Sequence, residues 1–346
     1  MKLRFSLFVG LVVMLTADTR PALAQPTNEN ASVQEIRALL DSIHPYLPSH
    51  EVKSEIDLFG STSMDSMAHG WVAGFKKFHP GSEVVISAEG SETVFERMAN
   101  NPSSIAMVSR PVSQEDLNRL RESGMKQPVA VMVAREALGV FVNRENPIDA
   151  IDFRTLVSLA CGDDDQDKLT WGKAGLTGKY EAEPVVLVGR DRQSGTREFL
   201  RNYFFRGLPI RETDKQVNTN YEVVNQIAES PFAVGISSLR CGQHGAKLLH
   251  LKSNGVIIPS DDRSILVGNY PFIQPLCLVL DVGLEGEEAI AIREFVLYAL
   301  SQAGQTDAIL AGYFPFDPPT LRGQVEQIGF KKLSENPPAS PDASAE

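Results

Sequence analysis

The sequence predicts an α/β fold in two lobes, each a mostly parallel sheet flanked by helices, with a ligand cleft between the lobes. Three observations carry this. Short apolar runs of strand length alternate along the chain with longer runs of helical spacing, the pattern of parallel sheets covered by helices. Two strand–turn–helix segments echo each other: Ile56-Asp-Leu-Phe59 leads into Gly60-Ser-Thr-Ser-Met64, and Pro184-Val-Val-Leu-Val188 leads into Gly189 through Ser194-Gly-Thr196. Two lobes that each present a helix N-terminus to a shared cleft account for that echo. The chain of 346 residues is also long enough for two domains of ordinary size with a well-buried core.

The elements follow in order. Residues 1–24 read as a secretory signal peptide: Lys2 and Arg4, an apolar stretch from Phe5 to Leu15, then Ala22-Leu-Ala24 before Gln25, with cleavage expected after Ala24. Asp18 and Arg20 interrupt the run before the roughly twenty residues a membrane anchor needs. No cysteine follows the small residues, so no lipid anchor is expected, and the periplasm is the expected destination. Residues 25–54 are a polar N-terminal extension holding one helix, with Val33, Ile36, Leu39, Leu40 and Ile43 on one face and Pro45 and Pro48 ending it.

Residues 55–143 are expected to begin the first lobe. After the first strand and turn, Met64, Met67, Ala68, Trp71, Val72, Phe75 and Phe78 keep helical spacing as far as His79-Pro80-Gly81. A strand (83–87), a turn at Gly90-Ser-Glu-Thr93, a short helix (94–98) and a strand (105–108) follow. Ser113-Gln-Glu-Asp116 then reads as a capped helix start. Val129–Ala134 and Leu138–Val142 read as two β runs, and polar residues 143–147 as a crossing. Residues 144–246 make the second lobe, with a helix over 148–160, a polar acidic loop over 162–178, the second strand–turn–helix, a helix over 221–229 and a strand at Phe232–Ile236. Residues 247–330 are expected to complete the first lobe, with a strand at 247–251, a β run from Tyr270 to Leu280 and a helix over 286–303. Residues 331–346 read as a disordered tail, rich in Pro, Ser and Ala.

Composition narrows the function. A net charge of −11 argues against nucleic acid as a partner. It is compatible with a small anion, because a short-range cradle of N–H donors and arginines outweighs a diffuse surface charge. Asp163, Asp165 and Asp167 alternate like the start of a calcium loop, but Lys168 and Ala174 stand where glycine and glutamate are required, so a solvated acidic loop is the reading. No metal-ligand spacing is present, and no cofactor is expected. Cys161 and Cys241 stand at element ends, which leaves a disulfide between them open, while Cys277 lies in an apolar run and reads as a buried thiol.

The chemistry concentrates in Gly189-Arg-Asp-Arg-Gln-Ser-Gly-Thr196. Hydroxyls, a glycine, a guanidinium and the unpaired N–H groups of a helix start together suit one small oxyanion. Ser194 as a hydrolase nucleophile is the enzymatic rival. No Gly-x-Ser-x-Gly elbow surrounds it, and none of the six histidines has a context that marks it as a base.

From about residue 55 to 320 the chain resembles the phosphate-binding proteins of bacterial phosphate ABC transporters, which have the periplasmic-binding-protein type 2 fold. The matching motifs, in order, are Gly60-Ser-Thr-Ser-Met64, Trp71 with Phe75-Lys-Lys-Phe-His-Pro80, Gly90-Ser91 with Thr93, Ser109-Arg-Pro111 and Val142-Asn143 with Asn146-Pro147. Trp171-Gly172 with Gly175-Leu-Thr-Gly178, the 189–196 turn, Ala233-Val-Gly-Ile236, Tyr270-Pro271 and Gly312-Tyr-Phe-Pro315 complete the set. The resemblance implies a monomer that captures inorganic phosphate between its lobes, performs no catalysis and delivers the ion to a membrane ABC permease. It implies a ligand set of the Thr62 hydroxyl, the Ser63 N–H, Ser91, Ser109, Arg190, Ser194, the Gly195 N–H and Thr196. Another tetrahedral oxyanion, or a sensor or surface interaction protein on the same fold, are the alternatives. Two positions depart from the pattern. Ser109 stands where short members carry an aspartate that accepts the ligand proton, followed here by Arg110, which either adds a positive charge beside the ligand or behind it, or serves as a structural salt-bridge partner. Glu92 stands where glycine or serine is usual, and a carboxylate there repels phosphate unless it faces outward or accepts the ligand's proton.

Overall fold

A computed structural model describes residues 28–91, 93–161 and 169–329 of the protein. The signal peptide, Glu92, the alternating aspartates 163–167 and the C-terminal tail expected above lie outside the described residues. In chain order the elements are α1 (Asn28–Asp41), β1 (Glu55–Gly60), α2 (Asp65–Phe78), β2 (Glu83–Ser87), α3 (Val94–Asn100), β3 (Ser104–Val108), α4 (Gln114–Glu122) and β4 (Pro128–Asn143). Then come β5 (Ala150–Asp152), α5 (Phe153–Ala160), β6 (Val186–Arg190), α6 (Gly195–Phe199), β7 (Lys215–Val217), α7 (Asn220–Glu229) and β8 (Ala233–Ser238). The chain closes with β9 (Ala246–Leu248), β10 (His250–Ser253), β11 (Val256–Ile258), α8 (Asp262–Leu266), β12 (Ile273–Asp281), α9 (Glu287–Leu300), α10 (Gln302–Leu310) and α11 (Pro318–Gln327).

Two sheets flanked by helices form a bilobed α/β architecture, as expected. They share β4. The first runs β2–β1–β3–β12–β4 and the second β4–β8–β6–β7, with β9 also on β4. Within each lobe the leading strands are parallel: β1 with β2 and β3, and β6 with β7 and β8. β12 pairs antiparallel with β3 and β4, and β8 pairs antiparallel with β4. Side chains alternate across each sheet, as the strand period requires. Ile56 and Leu58 of β1 enter a core shared with Met67, Trp71 and Phe75 of α2, whereas Phe59 enters a second core with Val94 and Met98 of α3. In the other lobe Leu138, Val140 and Val142 enter one core and Phe141 the opposite one.

The two β runs read from the sequence are one strand of 16 residues, β4. Its first half pairs with β12 up to Ala137, and its second half pairs with β8 from Leu138. Residues 249–272 pack with the second-lobe core through Leu249, Leu251, Ile265, Tyr270 and Phe272. We propose lobe limits drawn by these pairings, inside β4 and at the start of β12, in place of the expected crossings after residues 143 and 246. The expected 286–303 helix is divided at Ser301, which caps α10. Its N-terminal part, α9, buries Phe295, Val296 and Tyr298. Residues 148–160 begin with the short strand β5, which pairs with β10 before α5 starts.

Cys161, Cys241 and Cys277 are free, buried thiols, so Cys161 and Cys241 are not bridged. The physical reason is that Cys161 sits in one core of the second lobe and Cys241 in the other. The capping box at Ser113 is formed, with Asp116 reaching back to the Ser113 N–H.

Candidate functional site

The first turn is set by Gly60, whose φ of +121° is a conformation that residues with a Cβ rarely adopt. It ends β1 and points the chain back, so that the Ser61 N–H reaches the Met107 carbonyl of β3 at 2.9 Å. Ser61 then caps the short turn Thr62–Met64, accepting from the Ser63 N–H at 3.2 Å. Its own hydroxyl donates to Ser109 Oγ at 2.8 Å. The far turn follows β6. Arg190 ends that strand, and Ser194 caps α6 by accepting from the Arg197 N–H. The helical path continues from α6 through a wider turn over Leu200–Phe204.

The turns meet across the cleft. The Arg190 guanidinium donates from Nη2 to Thr62 Oγ1 at 2.8 Å and to the Asn218 carbonyl at 2.6 Å, and from Nη1 to Asn220 Oδ1 at 3.2 Å. Ser63 Oγ and Thr196 Oγ1 are 3.1 Å apart. The Ser91 N–H donates to the Gln193 carbonyl at 3.1 Å. Gly195 lies where a side chain would not fit. A Cβ there would come within 2.5 Å of Ser109 Oγ and 2.6 Å of Ser91 Oγ. Those two hydroxyls therefore converge over the first residue of α6, where backbone N–H groups have no partner within the helix.

Thr62, Ser63, Ser91, Ser109, Arg190, Ser194, Gly195 and Thr196 thus come together at one interlobe junction. All except Thr62 are buried. Arg190 is 4% exposed, its Nε is without a partner, and among the described residues it forms no ion pair. Burial pushes its basicity down, opposed by the more distant charges of Asp191 and Glu136. Ser91 Oγ is likewise buried and unpartnered. A buried guanidinium without a carboxylate partner, beside an unpartnered hydroxyl, is costly unless an anion joins it. The Ser63 N–H expected to face the ligand is instead taken by Ser61.

Arg110 is placed otherwise. Its guanidinium donates to Glu198 Oε2 at 2.7 Å, to Asp116 Oδ2 at 2.8 Å and to the Pro111 carbonyl at 2.9 Å. Burial weakens its basicity, but the carboxylates of Asp116 and Glu198 overcome that and raise it. Arg110 therefore ties the first lobe to α6 of the second and has no contact with the other cradle residues among its hydrogen bonds.

Five residues at the junction escaped sequence reasoning: Ser61, Glu136, Asn220, Gln274 and Arg240. Glu136 is 1% exposed on β4. It accepts from Gln274 Nε2 at 2.5 Å and Asn220 Nδ2 at 3.3 Å, and lies 3.5 Å from Arg240 Nε. The Arg135-Glu136 pair interrupting an apolar run was the one sequence signal for this network, because buried carboxylates require partners. Among the described residues no cluster of His, Cys, Asp and Glu could hold a metal ion.

Residues 47–303 match the family model of the PBP superfamily domain. The chain belongs to the PBP superfamily. Among PBP relatives, the phosphate-binding protein PstS of Pseudomonas aeruginosa is 24% identical over 300 residues, covering 84% of this chain and 93% of that protein. Protein SphX of Synechococcus elongatus is 21% identical over 291 residues, covering 83% and 84%. A putative phosphate ABC transporter substrate-binding protein from Clostridium perfringens, solved with bound phosphate, superposes with a TM-score of 0.61 at 20% identity, covering 76% of this chain and all of that one. That last likeness shows a shared PBP fold.

Proposed function

We propose that this protein captures inorganic phosphate between its lobes and delivers it to a membrane ABC permease. The observation that carries the reading is Arg190: a buried guanidinium with no ion-pair partner among the described residues, aimed with Thr62, Ser63, Ser91, Ser109 and the start of α6 at one junction between lobes. Ser194 and Thr196 frame the same helix start. Relatives named as phosphate-binding proteins across most of the chain support phosphate over other oxyanions. Export through the cleaved N-terminal segment to the periplasm, a monomeric state and transfer to a permease belong to the same reading. The cradle binds by hydrogen bonds and one fixed charge, and no bond of the ligand is made or broken.

Isothermal titration of the purified protein with phosphate tests this. Binding at micromolar protein, undiminished by equimolar sulfate, is expected; absence of binding sinks the proposal. Gly195→Ala should abolish the signal without unfolding the protein, since the new methyl group drives Ser91 and Ser109 away from the helix start.

A further inference from the structure

Beneath the cradle lies a second layer that decides which way its hydroxyls face. Glu136 on β4 and Gln274 on β12 are partners in the same antiparallel register. Gln274 Nε2 donates to Glu136 Oε2 at 2.5 Å and to Thr196 Oγ1 at 3.2 Å. Asn220 Nδ2 donates to Glu136 Oε1 at 3.3 Å and to Ser63 Oγ at 3.4 Å. One buried carboxylate therefore holds two amides with their NH2 groups turned toward it, because a carboxylate only accepts. The Asn220 orientation is fixed a second time, from its other end, by Arg190 Nη1 donating to Oδ1 at 3.2 Å.

Each amide then donates to one cradle hydroxyl. A hydroxyl that accepts from an amide must send its own proton elsewhere. Ser63 and Thr196 can pass at most one proton between themselves, and the rest is directed into the cleft. Charge is managed at the same point. Arg240 Nε lies 3.5 Å from Glu136, which leaves the Arg190 charge for the ligand. The charged and titratable groups around Glu136 are Arg240, Arg190 beyond Asn220, Tyr313 and Cys241. Burial raises Tyr313 above its ordinary range and pushes Cys241 up to about 11, so both stay neutral near neutral pH.

We infer that Glu136, acting through Gln274 and Asn220, is a positioning residue that fills an acceptor site on each of Ser63 and Thr196, directs the proton this pair does not share into the cleft and so tunes the cradle to the less protonated form of its anion. This rests on the phosphate reading above. Glu136→Gln removes the polarity: the glutamine can donate as well as accept, the amides can turn, and the hydroxyls can accept a ligand proton. Gln274→Met is the second variant. It leaves Glu136 with Arg240 and Asn220 and frees only the Thr196 hydroxyl.

The test is phosphate affinity by calorimetry at about pH 5.5 and about pH 8, on either side of the second ionisation of phosphate, for the full chain and both variants, with thermal melts to confirm folding. In Glu136→Gln, affinity should fall about tenfold or more at the higher pH, the scale of a hydrogen bond to a charged group, and clearly less at the lower pH. Gln274→Met should shift in the same direction by a smaller factor. An equal loss at both pH values in the folded variants overturns the inference and leaves Glu136 a structural residue. If Glu136→Gln does not fold, Gln274→Met alone decides by the same ratio. No binding by the unsubstituted protein at either pH is a different failure, that of the phosphate reading itself.

Discussion

Arg190 is where burial and charge conflict most directly. Its side chain is almost wholly enclosed, and its three described acceptors, Thr62 Oγ1, the Asn218 carbonyl and Asn220 Oδ1, are all uncharged. A buried charge is tolerated when a counter-charge completes it. Arg190→Met should therefore weaken phosphate binding by about a hundredfold or more, the loss of charge-assisted hydrogen bonds in a dehydrated site. The ligand-free melting temperature should change little, because removing an uncompensated buried charge offsets the acceptors left behind. Calorimetry and melts of the same sample check this; a large drop in ligand-free stability would make Arg190 a structural residue. The sequence displayed the 190–196 turn and its echo at Gly60–Met64 because hydroxyls and glycines ahead of a helix carry a local signature, whereas Ser91 and Ser109 came only through the family resemblance. It could not display Asn220 or Gln274. Their contacts with Glu136 join residues 84 and 138 positions apart, and nothing local marks them.

At the scale of elements, helical and strand periodicity located most of the helices and strands, and the misses have local causes. β4 read as two runs because Arg135 and Glu136 break the apolar pattern, yet both are satisfied within the fold: Arg135 donates to the Pro315 carbonyl at 2.7 Å, and Glu136 holds the amides. Short β7 and β11, and α11 with two prolines at its start, have too little periodicity to read. One network fastens the C-terminal end of the N-terminal extension. Tyr46 OH donates to Glu294 Oε2 at 2.7 Å, lies 2.6 Å from His79 Nε2, and the Val52 N–H donates to His79 Nδ1 at 3.3 Å. With Nδ1 accepting, Nε2 is the donor to Tyr46, and the ring is neutral. Burial holds the His79 pKa below its ordinary 6.5, although Glu294 and Glu51 pull it upward. The unfolded chain therefore binds a proton that the folded chain refuses. This contribution is fully present above about pH 6.5 and is lost as pH falls through the lowered folded value. Melts between pH 7.5 and 5.5 should show a steeper loss for the native sequence than for His79→Gln; parallel curves would remove His79 from the acid response.

For the whole molecule, with the lobe limits proposed above, the described chain passes between lobes along β4 and β12, and further links are contacts across the cleft. Some run through the cradle, such as Arg190 with Thr62 and Ser63 with Thr196. Others lie outside it, above all Arg110 with Glu198, reinforced by Tyr203 OH donating to the Pro111 carbonyl at 3.2 Å. The Arg110, Glu198 and Tyr203 side chains make none of these bonds to a cradle side chain, so they would bias closure separately from the cradle. If binding requires the closed form, apparent affinity is the intrinsic affinity scaled by the closed fraction. Glu198→Gln replaces an interlobe ion pair by a neutral hydrogen bond. An exposed pair contributes up to about 1 kcal/mol. This one is more enclosed, with side chains 7% and 27% exposed, so a loss of about 1–2 kcal/mol, or about five- to thirtyfold, is expected. On the phosphate reading, the loss should fall on the release rate rather than the association rate, because an open form would already lack this interlobe pair. Solution scattering should show the variant more extended than the native protein without phosphate, and both equally compact at saturating phosphate. Stopped-flow release at an unchanged rate, with scattering curves that already coincide without ligand, would show that closure is set by the cradle alone.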